Sequence, residues 1–125
     1  MDIVSLMQRD LFASYVGIEL LSAGNGKAIA KLDLKKCHRN GVSMVHGGAI
    51  FTLGDFTFAA AANSHGHLAV AMNVSITFMK ATKGSTLFAE AEEISQNKRV
   101  ASYTVIVKDE TNETIAIFQG LAYKK

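Results

Sequence analysis

The run from residue 47 to residue 62 constrains this chain more than any other segment. It reads GGAIFTLGDFTFAAAA, and Asp55 is its only charged residue. No turn signal follows Gly47-Gly48, and the run closes on Ala59 to Ala62, among the best helix formers. Asn63-Ser64-His65-Gly66 then supplies a stop. The segment predicts a helix about 24 Å long. It is apolar on nearly every face, so the rest of the chain must cover most of its sides. Gly54 sits in its middle, where glycine costs ~1 kcal/mol relative to alanine. Close backbone approach across a dimer interface is one reason for it, and chance is another.

What surrounds this helix has a different period. Residues 18–22 and 27–34 read as two strands separated by Ala23-Gly24-Asn25-Gly26, with Ala28, Ala30, Leu32 and Leu34 alternating against Ile29, Lys31 and Asp33. After the helix, Val70, Met72, Val74, Ile76 and Phe78 alternate with Ala71, Asn73, Ser75, Thr77 and Met79. Further strands are expected at 85–95, 99–108 and 114–123, with turns at Lys83-Gly84, Gln96-Asn97 and Glu110-Thr111-Asn112. Residues 35–43 are polar and read as a loop. Ahead of the first strand, Ile3, Val4, Leu6, Met7, Asp10 and Leu11 are spaced as one short amphipathic helix. Hairpin-linked strands with one apolar helix to cover them predict an α+β fold with an antiparallel sheet.

Composition narrows the function classes. The chain has 125 residues and a formal net charge of +2, which suits a single domain and argues against a dedicated nucleic-acid binder. Its one cysteine, Cys37, allows neither an internal disulfide nor a cysteine metal cluster. Asp2, Arg9 and Asp10 break up the N-terminal apolar residues, so no secretory signal is expected, and no run is long enough to span a membrane. These features predict a soluble, cytoplasmic protein.

The stretch HGGAIFTLGDFTFAAAANS, residues 46–64, resembles the signature of the PaaI-type acyl-CoA thioesterases of the hotdog superfamily. The likeness extends upstream to Asn40-Gly41 and downstream to Ile76-Thr77-Phe78-Met79, and element order and length match along the whole chain. It implies a hotdog fold, with the sheet wrapped around the long helix. It also implies hydrolysis of acyl-CoA thioesters, with aryl-acetyl or medium-chain acyl groups as substrates. Coenzyme A would be part of the substrate, and no separate cofactor or metal is needed. Homodimers with shared sites, pairing into tetramers, are implied as well.

The chemistry explains the residues. A thioester carbonyl can be polarised by free amides at a helix N-terminus. Gly47 and Gly48 leave that approach open, and the Gly47 amide is the natural donor. Asn40 can add a side-chain amide, and the resemblance gives it a part in positioning the water or the carbonyl. Asp55 would act as nucleophile or base, with its pKa raised by burial. His46 precedes the helix as a capping residue or a general base. The alternative for Asp55 is a structural carboxylate bonded to Thr52 or Thr57.

Asp55 lies eight residues beyond Gly47, roughly 12 Å along one helix, too far for both to touch one carbonyl. The site therefore calls for Asp55 from a second, antiparallel helix, which a two-fold dimer provides twice. Some relatives carry a third polar residue near the start of the following strand; here Asn73 and Ser75 are both candidates. Lys80, with Lys83, Lys98 and Arg99, could meet the phosphates of coenzyme A, although relatives commonly carry Arg-Pro where this chain has Lys80-Ala81. Cys37 beside His38 reads as a spectator thiol. His65 and His67 have a metal-like spacing but lack acidic or cysteine partners nearby. Two rival functions use the same fold: a non-catalytic acyl-CoA sensor, and a dehydratase or hydratase. The sensor has no use for a buried Asp55. The dehydratase needs a histidine–carboxylate pair that the helix does not supply.

Overall fold

The computed structural model describes residues 2–125. Two short helices, α1 (Ile3–Gln8) and α2 (Leu11–Val16), lead into the hairpin β1 (Ile18–Gly24) and β2 (Lys27–Asp33). A loop with one 3-10 turn (Lys36–His38) then delivers the chain to the long helix α3 (Gly47–Ala62). Four strands follow: β3 (Ala69–Phe78), β4 (Thr86–Gln96), β5 (Val100–Asp109) and β6 (Thr114–Lys124). They form one antiparallel sheet in the order β1-β2-β4-β5-β6-β3. The long helix has the bounds its composition predicts, and the strands match to within two residues.

Where one N-terminal helix was expected, there are two. Asp10 is the reason, because its Oδ1 accepts the Ala13 N–H (3.0 Å) and so starts a new helix. The apolar periodicity runs through the break, so it conceals a side chain that competes for the backbone. Gly17, at φ 104°, ends α2 in the left-handed conformation and turns the chain into β1.

Helix α3 lies across one face of the sheet and touches all six strands. That face is lined by alternate residues, such as Ala28, Ala30 and Leu32 of β2 and Tyr103, Val105 and Val107 of β5. The contact with β6 is reciprocal. Phe118 of β6 fits the notch at Gly54, where a Cβ would lie 3.1 Å from its ring. Phe58 of α3 sits over Gly120 of β6, where a Cβ would lie 2.6 Å from its ring. The Phe58 and Phe118 rings pack 5.7 Å apart, and Tyr103 meets Phe58 edge-on at 5.6 Å. Gly54 is thus explained by packing against its own sheet, not by a dimer interface.

One face of α3 escapes this cover. Gly48, Thr52, Asp55 and Ala59, on successive turns, are exposed or half-buried. At one side of the sheet β3 is an edge strand, and Met72, Phe78 and Met79 are more than half exposed beside it. Among the described residues, no helix is long and apolar enough to cross a membrane.

The Phe58–Gly120 contact leaves no room for adjustment. Gly120→Ala should lower unfolding free energy by about 1–3 kcal/mol in urea titrations, since overpacking forces a buried ring off its rotamer. An unchanged midpoint would show that the interlock is looser than the distances imply.

Candidate active site

The loop before α3 is built to present the helix start. His38 is buried, its Nδ1 accepting the Lys35 N–H (2.9 Å) and its Nε2–H donating to the Val16 carbonyl (2.6 Å). Its own carbonyl accepts the His46 N–H (2.7 Å). The residue next to Cys37 is therefore a structural pin that ties the loop to the end of α2. Cys37 itself is exposed, so the pair is no dyad.

His46 is the N-cap of α3, its Nδ1 accepting the Gly48 N–H at 2.7 Å. That bond requires an unprotonated Nδ1, which places any ring proton on Nε2. The His46 carbonyl accepts from both Ala49 (3.0 Å) and Ile50 (3.3 Å). Of the first-turn amides, that of Gly47 has no acceptor among the described residues. A Cβ on Gly47 would stand 3.2 Å from the Phe78 ring, and one on Gly48 would stand 2.9 Å from His46 Nδ1. Both glycines are therefore set by close contact.

Asn40 sits in a tight turn ahead of this helix. Its Oδ1 accepts the Val42 (3.0 Å) and Met44 (3.1 Å) amides, while its main-chain N–H donates to the Met44 carbonyl (2.8 Å). The side-chain carbonyl is spent on the turn, and the side-chain NH2 remains to donate outward. A groove lined by Asn40, Met44, Val45, Gly47, Ile50, Phe78, Met79, Lys80 and Ala81 runs past these donors. It gathers three of the residues singled out from the sequence: Asn40, Gly47 and Lys80. Lys80 already pairs with Glu113, a bond that raises its pKa further.

Asp55 is absent from that groove and lies farther along α3, half-buried. Neither neighbouring threonine serves it, because Thr52 Oγ1 donates to the Gly48 carbonyl and Thr57 Oγ1 to the Leu53 carbonyl, each at 2.7 Å. The carboxylate has no hydrogen-bond partner among the described residues. Burial, and then the like charge of Asp10, push its pKa above the ordinary 3.8.

With this geometry in view, kinship can be assigned. A family model described as "Thioesterase superfamily" matches residues 43–116, from the loop before α3 into β6. The chain belongs to this superfamily. The Escherichia coli acyl-coenzyme A thioesterase PaaI is 31% identical over 121 residues, covering 96% of this chain and 86% of that protein. An esterase-named protein of Archaeoglobus fulgidus is 39% identical over 120 residues, covering 95% of this chain and 78% of its own length. The solved E. coli PaaI structure superposes with a TM-score of 0.92 at 30% identity, covering 97% of this chain and 88% of that one. The TT0310 protein of Thermus thermophilus superposes with a TM-score of 0.88 at 29% identity, covering 94% and 99%. The fold is the hotdog fold, and the chain is a PaaI-like thioesterase.

Other sequence candidates in this thioesterase stand apart. Asn73 and Ser75 lie exposed on the edge strand β3, Asn73 beside the register shift that follows Ala71. Neither lines the Asn40–Gly47 groove. His65 and His67 stack with centroids 6.0 Å apart, and His65 Nε2 contacts Glu93 Oε1 at 3.0 Å. Glu93 also accepts the Tyr103 hydroxyl (2.8 Å), and although burial opposes it, these bonds hold its carboxyl below the usual value. Among the described residues no three His, Cys, Asp or Glu side chains converge as a metal site. Sequence reading passed over Asp10 and Phe78 as site residues. Asp10 carries a signal for a helix start, an aspartate just before an apolar pair, but none for its place near Asp55.

The raised pKa makes a stability prediction. Folded Asp55 holds its proton more tightly than the unfolded chain, so stability is lost as pH rises from the ordinary 3.8 through the raised value. Asp55→Asn should therefore melt higher than wild type at pH 7, and the gain should vanish below pH 3.8. A variant that melts lower at pH 7 would mean that the carboxylate has a stabilising partner.

Proposed function

We propose that the chain hydrolyses acyl-coenzyme A thioesters to the free acid and coenzyme A, acting on aromatic (phenylacetyl-like) or medium-chain acyl groups. The observation that carries this reading is the pairing on α3 of an unsatisfied N-terminal amide, Gly47, with an unpartnered half-buried carboxylate, Asp55. A helix-start N–H left without an acceptor suits a carbonyl oxygen that gains negative charge. The Asn40 side-chain NH2 borders the same groove as a second donor. Asp55 either attacks the carbonyl carbon or draws a proton from water that does so, and coenzyme A leaves as its thiol. His46 acts as a positioning residue, because its ring holds the first turn of α3. Lys80, which lines the same groove, suits the phosphates of coenzyme A, and Gly48, Asn73 and Ser75 belong to the substrate-facing surface. The chain needs no separate cofactor on this reading.

Each active site takes halves from two subunits. Gly47 and Asp55 are separated by roughly 12 Å of helix, so one carbonyl cannot reach both within a chain. A second copy laid antiparallel closes the gap. Support comes from β3, an edge strand flanked by exposed Met72, Phe78 and Met79, since an open apolar edge invites pairing with another strand. Two such dimers would pair as a tetramer. Cytoplasmic location fits this chemistry, because acyl-coenzyme A esters are metabolic intermediates. A non-catalytic sensor is the rival reading, and the unpartnered Asp55 speaks against it.

Two substitutions test the reading. Asp55→Ala should abolish thiol release from every acyl-coenzyme A tested while leaving the oligomer intact by light scattering. Gly47→Pro removes the amide proton at a position whose backbone suits proline, the first of the helix and preceded by His46 extended at ψ 136°, and its ring displaces the exposed Phe78 side chain. It should lower kcat about 10²–10³-fold. Neither variant works alone, yet subunits of the two mixed together should regain activity, because one site per mixed dimer has both halves whole. No recovery in verified mixed dimers would sink the shared site, and full activity of Asp55→Ala would sink the assignment. A single turnover in oxygen-18 water separates the two roles of Asp55: label enters the carboxylate only if it attacks.

A further inference from the structure

The turn that carries Asn40 has little packing to hold it. Residues 40–43 are all exposed, and Ser43 stands at φ 64°, a left-handed conformation that a residue with a Cβ keeps only where its neighbours fix it. Half-buried Arg39 spans the gap between this turn and the connection from β3 to β4. Its Nη1 donates to the Ser43 carbonyl (3.4 Å) and its Nη2 to the Gly84 carbonyl (3.2 Å). We propose that Arg39 is a positioning residue for the reaction: its guanidinium clamps the Asn40 turn to Gly84 and so holds the Asn40 side-chain NH2 against the groove. The inference rests on the thioester-hydrolase reading above and adds a residue to its machinery.

The clamp joins the two segments that line the groove, one between Asn40 and Ile50 and the other between Phe78 and Ala81. At the foot of the turn the Val45 N–H donates to the Thr82 carbonyl (3.4 Å), and nearer its tip Arg39 makes the second link. The Gly84 end is firm. Thr82 is buried and its hydroxyl accepts the Gly84 N–H (3.0 Å), while Glu110 accepts the Ser85 (2.9 Å) and Thr86 (3.2 Å) amides just beyond. Arg39 pairs with no carboxylate among the described residues, so its side-chain bonds within the fold go to these two carbonyls. Both bonds are long, yet a charged donor strengthens them. The Asn40 Oδ1 is fixed inside the turn by the Val42 and Met44 amides, so a tilt of the turn swings its NH2 with it. Arg39 does not line the groove itself and acts through Asn40.

The test compares Asn40→Ala, Arg39→Ala, the double variant and Arg39→Lys in the full chain, each verified as folded by its melting curve. In thiol release from an acyl-coenzyme A, Arg39→Ala should lower kcat about tenfold while KM stays within about twofold of wild type, the pattern of an interaction made only in the transition state. The double variant should be no slower than Asn40→Ala alone, because the clamp then has nothing to position. Arg39→Lys, whose ammonium can serve one carbonyl but not bridge both, should recover part of the loss. Hydrogen exchange at the Val42 and Met44 amides should quicken at least about tenfold in Arg39→Ala. Losses that multiply in the double variant overturn the proposal. So does a raised KM at unchanged kcat, which would make Arg39 a direct contact of coenzyme A. Exchange quickened in Arg39→Ala, with no thiol released by wild type, keeps the clamp and discards the hydrolase. Unchanged exchange beside an active wild type does the reverse.

Discussion

The structure depends on seating one apolar helix against a sheet with no freedom to slide. Phe118 enters α3 at Gly54 and Phe58 enters β6 at Gly120, so each element carries both a knob and a hole. A shift of α3 along its axis by one residue, about 1.5 Å, would drive both rings into backbone. Rotation is blocked in the same way, because the two glycines sit under rings from opposite elements. The helix start and the uncovered stripe are therefore held in place by packing far from either one.

On that fixed helix, polarity is concentrated in two places. The first turn is organised by His46, which satisfies Gly48 through its ring and two further amides through its carbonyl, and leaves Gly47 over. The other place is Asp55, left without a donor because Thr52 and Thr57 bond back to their own helix. A charge held in this way destabilises the fold, which is the usual condition of a group kept for chemistry. The loop from His38 to His46 adds rigidity where the helix begins. Its buried imidazole bonds at both nitrogens, and its main chain bonds to the cap.

Much of the fold was legible in the sequence because its two periodicities do not overlap. Period-two segments and one long apolar run can be told apart without knowing what they pack against, so element order followed and the helix bounds came out at 47–62. The N-terminus was less clear, since Asp10 interrupts the backbone without interrupting the apolar spacing. Gly54 left both a close approach and chance open, because a mid-helix glycine does not say what lies against it. Asn40 was legible as a residue type and not as a geometry. Its carbonyl is occupied by Val42 and Met44, so only its NH2 is left to act. Asp10 beside Asp55 could not be found by pattern at all, being distant in sequence and near only after folding.

The sequence by itself determined the α+β class, the buried helix and the isolation of one carboxylate on it. These follow from composition and spacing along a single element. Helix geometry alone was also enough to separate Gly47 from Asp55 by more than one carbonyl can bridge. Only the tertiary structure decided which amide lacks an acceptor, that neither threonine bonds to Asp55, and that Asp10 lies near enough to Asp55 for their charges to interact. Each of these depends on which distant atoms occupy a given direction, and spacing along a chain does not carry that information.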